Sequence, residues 1–218
     1  MSLVATVVVG CKSGGHGWRR FVPWRSSSDM LISTHSTRTE PTLEPVSVAE
    51  LQAHCRIDDP ENHTELARMI KAARQAIETG HLWRTLINQT CVDKFDAFGD
   101  LMGLRWLTVQ SVTSITYLDT DGATQTLSTD IYELATFDGV GAIRLKYDQE
   151  WPSLYDHEDV VTVTYVAGYG TSPDDVPMPI RQAIMIYANW LYAAREGEGG
   201  PFDTLNALLE PYSAWRVM

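Results

Sequence analysis

Apolar and polar positions fall into three stretches along the chain, each with its own period. Ser47-Val48-Ala49-Glu50 opens the first as a capping box: the serine oxygen accepts from the backbone three residues on, and the glutamate reaches back. A short helix is predicted over Val48 to Arg56. Asp58-Asp59-Pro60 closes it and starts another, because Asp59 can cap and Pro60 suits a first helical position. Leu66, Ile70, Ala73 and Ile77 then share one helical face, and Gly80 reads as the stop. From Thr85 the period drops to two. Strands are predicted over Gln89 to Phe95, Val112 to Leu118, Thr124 to Leu127, Ile131 to Leu134, Ala142 to Tyr147 and Val160 to Val166. The turn Asp119-Thr120-Asp121-Gly122 joins two of them, with glycine where positive φ is cheap.

The helical period returns after Tyr165-Val166-Ala167-Gly168-Tyr169-Gly170. An acidic loop, Thr171 to Asp175, leads to Val176-Pro177-Met178-Pro179, and a helix follows over Pro179 to Ala194. Its stripe is Ile180, Ala183, Ile184, Tyr187, Leu191 and Ala194. Asp174 and Asp175 suit the N-terminus of that helix. A last helix is predicted over Phe202 to Leu209, ended by Pro211. Helices, strands, then helices give an α+β class: a helical bundle with an antiparallel β-sheet region inserted between N-terminal and C-terminal helices. The expected organisation is an extended N-terminal arm over residues 1–40 and one domain over 41–218. That domain holds helices at 47–80, a β region at 85–167, helices at 177–211 and a C-terminal tail at 212–218.

Catalytic signatures are missing from the sequence. The six histidines form no HExxH, and there is no GxSxG elbow, phosphate-binding loop or Rossmann fingerprint. Gly168-Tyr169-Gly170 lacks the third glycine of a ligand loop and reads as a tight corner. The acidic pairs Asp58/Asp59, Glu158/Asp159 and Asp174/Asp175 sit at element ends, where carboxylates cap or stay solvated. No catalytic residue, metal site or cofactor is expected. Cys11, Cys55 and Cys91 show no CxxC spacing, which fits a reducing compartment. No apolar run approaches the roughly 20 residues of a membrane span.

Charge separates the arm from the rest. Residues 1–40 hold five Lys/Arg against two acids, a balance of +3, so of the net −11 the other 178 residues carry −14. An acidic body disfavours sequence-specific DNA binding yet suits a channel through which DNA slides without sticking. In the arm, Trp18, Arg19, Arg20, Trp24 and Arg25 could grip nucleic acid or lie across an acidic neighbour. Val8-Val9-Gly10-Cys11 mimics a lipid attachment site, though no Lys or Arg precedes the apolar stretch. A lipid-anchored, ligand-binding protein is thus one alternative. Met30 offers another view of the arm, as the place where translation really begins.

Several segments, in order, resemble the head–tail connector (adaptor) proteins of long-tailed bacteriophages and gene transfer agents. Pro45 to Asp58 is similar to the family's opening helix, and Leu66 to Glu78 to its second. Leu86-Ile87-Asn88-Gln89-Thr90 resembles the approach to its sheet, and Val109 to Tyr117 its central strand. Trp151-Pro152, the Gly168–Gly170 joint and Ala207-Leu208-Leu209-Glu210-Pro211-Tyr212 complete the match. The arm before Pro41 and the end Ser213 to Met218 depart from the pattern. The resemblance implies a non-enzymatic virion protein, assembled in the host cytoplasm and placed at the head–tail interface. It implies a homo-oligomeric ring, usually a dodecamer, between the portal protein and a stopper or tail protein, with genomic DNA passing through unread and no membrane involved. A stopper or tail-completion protein is the nearest alternative. Leu209, Pro211, Tyr212 and Trp215 are the candidate portal contacts.

Overall fold

The computed structural model describes residues 30–57, 62–137, 140–193 and 200–213. Among the described residues, two sheets and four helices make up a mixed α/β fold. The strands are β1 (Met30–Ile32), β2 (His35–Arg38), β3 (Gln89–Phe95), β4 (Leu101–Gly103), β5 (Val109–Leu118), β6 (Thr124–Thr126), β7 (Tyr132–Phe137), β8 (Val140–Leu145) and β9 (Val161–Ala167). The helices are α1 (Val48–Cys55), α2 (His63–Ile77), α3 (Met178–Ala193) and α4 (Phe202–Leu209). One sheet runs β1-β4-β8-β7 and the other β2-β3-β9-β5-β6.

This corrects the expected architecture. The β region is not simply inserted between terminal helices, because β1 and β2 precede α1 and supply an edge to each sheet. The sheets are central, and the pairing is not wholly antiparallel: Met30, Leu31 and Ile32 run parallel to Leu101, Met102 and Gly103. The reason is physical. β1 and β2 are too short to show a period, and their partners lie far along the chain. His35-Ser36-Thr37-Arg38 has no apolar alternation, since as an edge strand it buries only part of one face.

Two cores result. Between the sheets, Phe95, Met102, Ile115, Ile143, Val161, Val163 and Tyr165 pack together. β9 buries every second residue, Val161, Val163, Tyr165 and Ala167. Among the helices, Leu66, Ile70, Ala73 and Ile77 of α2 meet Ile180, Ala183 and Ile184 of α3, with Leu205 and Leu209 of α4. Ser47 caps α1 with the full box, its side chain receiving Glu50 N–H and its own N–H donating to the Glu50 carboxylate. Arg181 of α3 donates to the Pro45 carbonyl at 3.0 Å and also pairs with Glu50, which ties α1 to α3.

Gly80 does not end the second helix. The chain continues as a π-helical turn, Glu78–Leu82, and stops at Trp83 with φ 50°. Burial of Glu78 and Leu82 pulls the extra turn inward. The Asp58-Asp59-Pro60 start lies outside the described residues, and α2 begins at His63.

Glu78 joins the two cores. Its side chain is fully buried. One oxygen accepts from Arg38 at 2.6 Å and Arg74 at 2.8 Å. The other accepts from the Leu86 N–H at 3.0 Å and the Gln89 amide at 3.3 Å. Arg74 is itself buried and reaches Glu44 at 2.7 Å and Glu40 at 2.8 Å. Burial opposes its charge, but these carboxylates more than offset that and raise its pKa. Glu78→Gln removes the carboxylate shared by buried Arg74 and half-buried Arg38. Among the described residues this leaves Arg38 without an ion pair and Arg74 with only Glu40 and Glu44, and it is expected to cost about 3 kcal/mol in urea unfolding. The exposed pair Arg144–Glu133, by contrast, contributes about 0–1 kcal/mol, so Glu133→Gln serves as the matched control.

Candidate functional site

The strand-to-helix joint is stitched on both sides. The Gly168 N–H donates to the Thr108 carbonyl at 3.0 Å, and the Tyr169 N–H to Leu86 at 3.0 Å. The Asn88 N–H donates to Gly170 at 2.8 Å. Gly168 has φ 147°, and a Cβ there would lie 2.6 Å from the Asn88 nitrogen. A Cβ on Gly170 would overlap the Asp175 carboxylate, whose oxygen receives the Ser172 N–H at 2.9 Å. Asp175 therefore closes a 3₁₀ turn, Pro173–Asp175, while Asp174 reaches forward to Arg181 at 3.2 Å. The glycines form a corner whose space is filled by protein.

Beside this joint sits the C-terminal turn. α4 leads into a 3₁₀ turn, Glu210–Tyr212. Leu209 is buried in the helical core, Pro211 is exposed and Tyr212 is half-buried. The Tyr212 carbonyl accepts from Arg84 Nε at 3.0 Å. Tyr169 lies against the same pair, and burial pushes its phenol pKa up. His81, Asn206, Ala207, Leu209, Glu210 and Ser213 line an open depression next to the turn. Thus the structure brings Leu209, Pro211 and Tyr212 together. Trp215, and the arm residues Trp18, Arg19, Arg20, Trp24, Arg25 and Cys11, lie outside the described residues.

A second feature was not legible from sequence. Trp83 and Trp106 pack with ring centroids 6.3 Å apart. The Arg38 guanidinium sits 4.2 Å from the Trp106 ring centre, and Arg105 sits 5.2 Å from that of Trp83. Trp106 also donates its indole N–H to Ser36 at 3.1 Å. These residues come from three separate segments, so no local pattern announces them.

The buried carboxylate of Asp93 positions this stack. One of its oxygens accepts from the Arg105 backbone N–H at 2.8 Å and the Tyr165 hydroxyl at 2.9 Å. The Tyr165 oxygen in turn accepts the Trp106 N–H at 3.1 Å. The other Asp93 oxygen is buried with no partner among the described residues. Burial raises the Asp93 pKa above the ordinary carboxylate value, despite the Arg105 and Tyr165 donors. Burial and the Asp93 charge likewise push the Cys91 thiol to about 12. No group of three or more His, Cys, Asp or Glu residues that could hold a metal ion occurs among the described residues. No helix among them is long and apolar enough to cross a membrane.

An acid with a raised folded-state pKa is favoured when protonated, so its ionisation costs stability as pH rises through that pKa. Asp93→Asn removes the charge and keeps an acceptor oxygen. Relative to the parent, this variant gains stability as pH rises above the ordinary carboxylate range of about 4. Urea unfolding at about pH 4 and about pH 7 measures the difference, and a pH-independent difference would contradict the assignment.

No family model matches the sequence, and no curated protein does. Solved structures of gene transfer agent particles do. A chain in the neck of an empty particle, computed with C6 symmetry, superposes with a TM-score of 0.70 at 24% identity. A chain in the virion of a native particle gives 0.71 at 22%, and one in the neck of a native particle, computed with C12 symmetry, gives 0.65 at 22%. Each match covers 84% of this chain and 97% of the other. The resemblance drawn from the sequence therefore has a counterpart in three dimensions: this chain is similar in fold, over nearly their whole length, to components of gene transfer agent particles, two of them in the neck.

Proposed function

We propose that this chain is a structural virion protein of the neck, the head–tail connector (adaptor) of a phage-like particle. The observation that carries the reading is the likeness to neck chains over 97% of their length. Copies of the chain close into a ring between the portal protein and a stopper or tail protein, and genomic DNA passes through the central channel. Ring closure requires that one face of each subunit meet a different face of the next. The C6 and C12 symmetries of the similar necks support twelve copies. The acidic body, with −14 outside the first 40 residues, favours passage of DNA without adhesion. Assembly takes place in the host cytoplasm.

The C-terminal turn is the portal contact in this reading. Leu209 seats α4 in the helical core, so that Pro211, Tyr212 and Trp215 meet the partner. The basic, aromatic arm residues Trp18, Arg19, Arg20, Trp24 and Arg25 lie across an acidic neighbouring subunit. The protein has no catalytic task here, and nothing in the reading calls for a cofactor.

Electron microscopy of the purified chain mixed with its portal protein tests this directly. Rings stacked on the portal are expected. Monomers that never associate with the portal would overturn the reading, and binding to the tail tube alone would favour a stopper or tail-completion protein. Removing Tyr212 to Met218 is expected to leave the circular dichroism spectrum unchanged and reduce portal binding at least about tenfold. Undiminished binding would reject the C-terminal contact.

A further inference from the structure

A ring subunit needs two complementary patches, and the described surface offers a matched pair of unusual composition. The first is the tryptophan–arginine stack. Trp83 leaves 40% of its surface exposed. Its backbone is held at φ 50°, and its carbonyl accepts the Leu107 N–H at 3.1 Å, so its placement is fixed. Arg105 is exposed. Among the described residues no carboxylate lies within ion-pair distance of it, and its one ring contact is Trp83. A fixed, half-exposed tryptophan beside an unpaired arginine is the composition of an interface hot spot. Stacking on an indole also leaves the guanidinium edge free to receive a carboxylate.

The second patch lies at the other end of the sheets, between β8 and β9. From Tyr147 to Glu158 the chain carries Asp148, Glu150, Asp156 and Glu158 and no Lys or Arg. All four carboxylates are exposed, and none forms an ion pair among the described residues. Tyr147 is 98% exposed, and Tyr155 is exposed as well. The segment is nonetheless anchored. Trp151 stacks on Phe98 at 4.5 Å and donates to the Gly99 carbonyl at 3.2 Å, and the Tyr155 N–H donates to Leu118 at 3.1 Å. Two exposed tyrosines among four acids give apolar contact and negative charge together, on a support that costs little ordering.

We propose that the Trp83/Arg105 patch of one subunit receives the acidic Tyr147–Glu158 segment of a second copy of this chain. The patches differ and sit apart on each subunit, so the contact is head-to-tail and repeats around a ring. Charge complementarity favours this occupant: the acidic segment supplies the carboxylates that exposed Arg105 lacks among the described residues of its own subunit. The inference rests on the ring reading above.

The test uses the full-length chain and follows ring formation by sedimentation velocity, with and without the portal protein. Arg105→Glu, a change on an exposed side chain, is expected to raise the concentration needed for ring formation about tenfold or more, with an unaltered thermal melt. Trp83→Ala is expected to act in the same direction. Combining Arg105→Glu with Asp148→Lys and Glu150→Lys restores complementarity at every contact and is expected to recover ring formation. Rings from Arg105→Glu at the parent concentration, or a swap that recovers nothing, would overturn the contact and leave the ring reading standing. A parent chain that forms no ring in either condition would sink both. Loss of duplex DNA binding by Arg105→Glu, with rings intact, would make the patch a phosphate site instead.

Discussion

The buried carboxylate of Glu78 is the constraint on which the other parts of the fold depend. It accepts hydrogen bonds from β2, α2, the Leu86 backbone and β3, four segments drawn from both the helical layer and a sheet. A buried charge is tolerated only when its lone pairs are met, so every one of those segments must be in place at once. Arg74 extends the demand to Glu40 and Glu44 in the stretch between β2 and α1. The helical core and the inter-sheet core are therefore joined by polar contacts of fixed geometry, in addition to apolar packing that tolerates slippage.

Asp93 plays the corresponding part inside the β layers. The two backbone links it makes, one direct and one through Tyr165, set the path of residues 105 and 106. That path decides where the Arg105 and Trp106 side chains stand. Burying an acid with one unpartnered oxygen costs stability, and the return is a surface stack whose members hold fixed positions without a regular element beneath them. A surface prepared in this way loses little freedom on meeting a partner.

How far the sequence could be read depended on the length and regularity of each pattern. β3 and α4 were legible to the residue, and β9 nearly so, because seven or eight residues carry a clear period or end at a proline. The face of α2 was legible for the same reason. β1, β2 and β4 have three or four residues each and are specified by pairing across long sequence separations, so no local period marks them. Gly80 misled because a glycine permits a helix to stop without forcing it. Of the surface features, the C-terminal turn was visible in Leu-Leu-Glu-Pro-Tyr, where proline limits the helix. The Trp83, Trp106, Arg38 and Arg105 cluster was invisible, since only the folded chain assembles it.

The placement of β1 and β2 bears on how the chain acquires its structure. Met30 to Arg38 emerges from the ribosome early, yet its hydrogen-bonding partners are Cys91 to Lys94 and Leu101 to Gly103. These strands can dock only after most of the first hundred residues have been made, and closing so long a loop costs entropy before any contact repays it. Until then β3 and β4 each present an unpaired edge. A nascent chain therefore passes through an interval in which two sheet margins are open to other copies, and its yield depends on how quickly its earliest strands arrive.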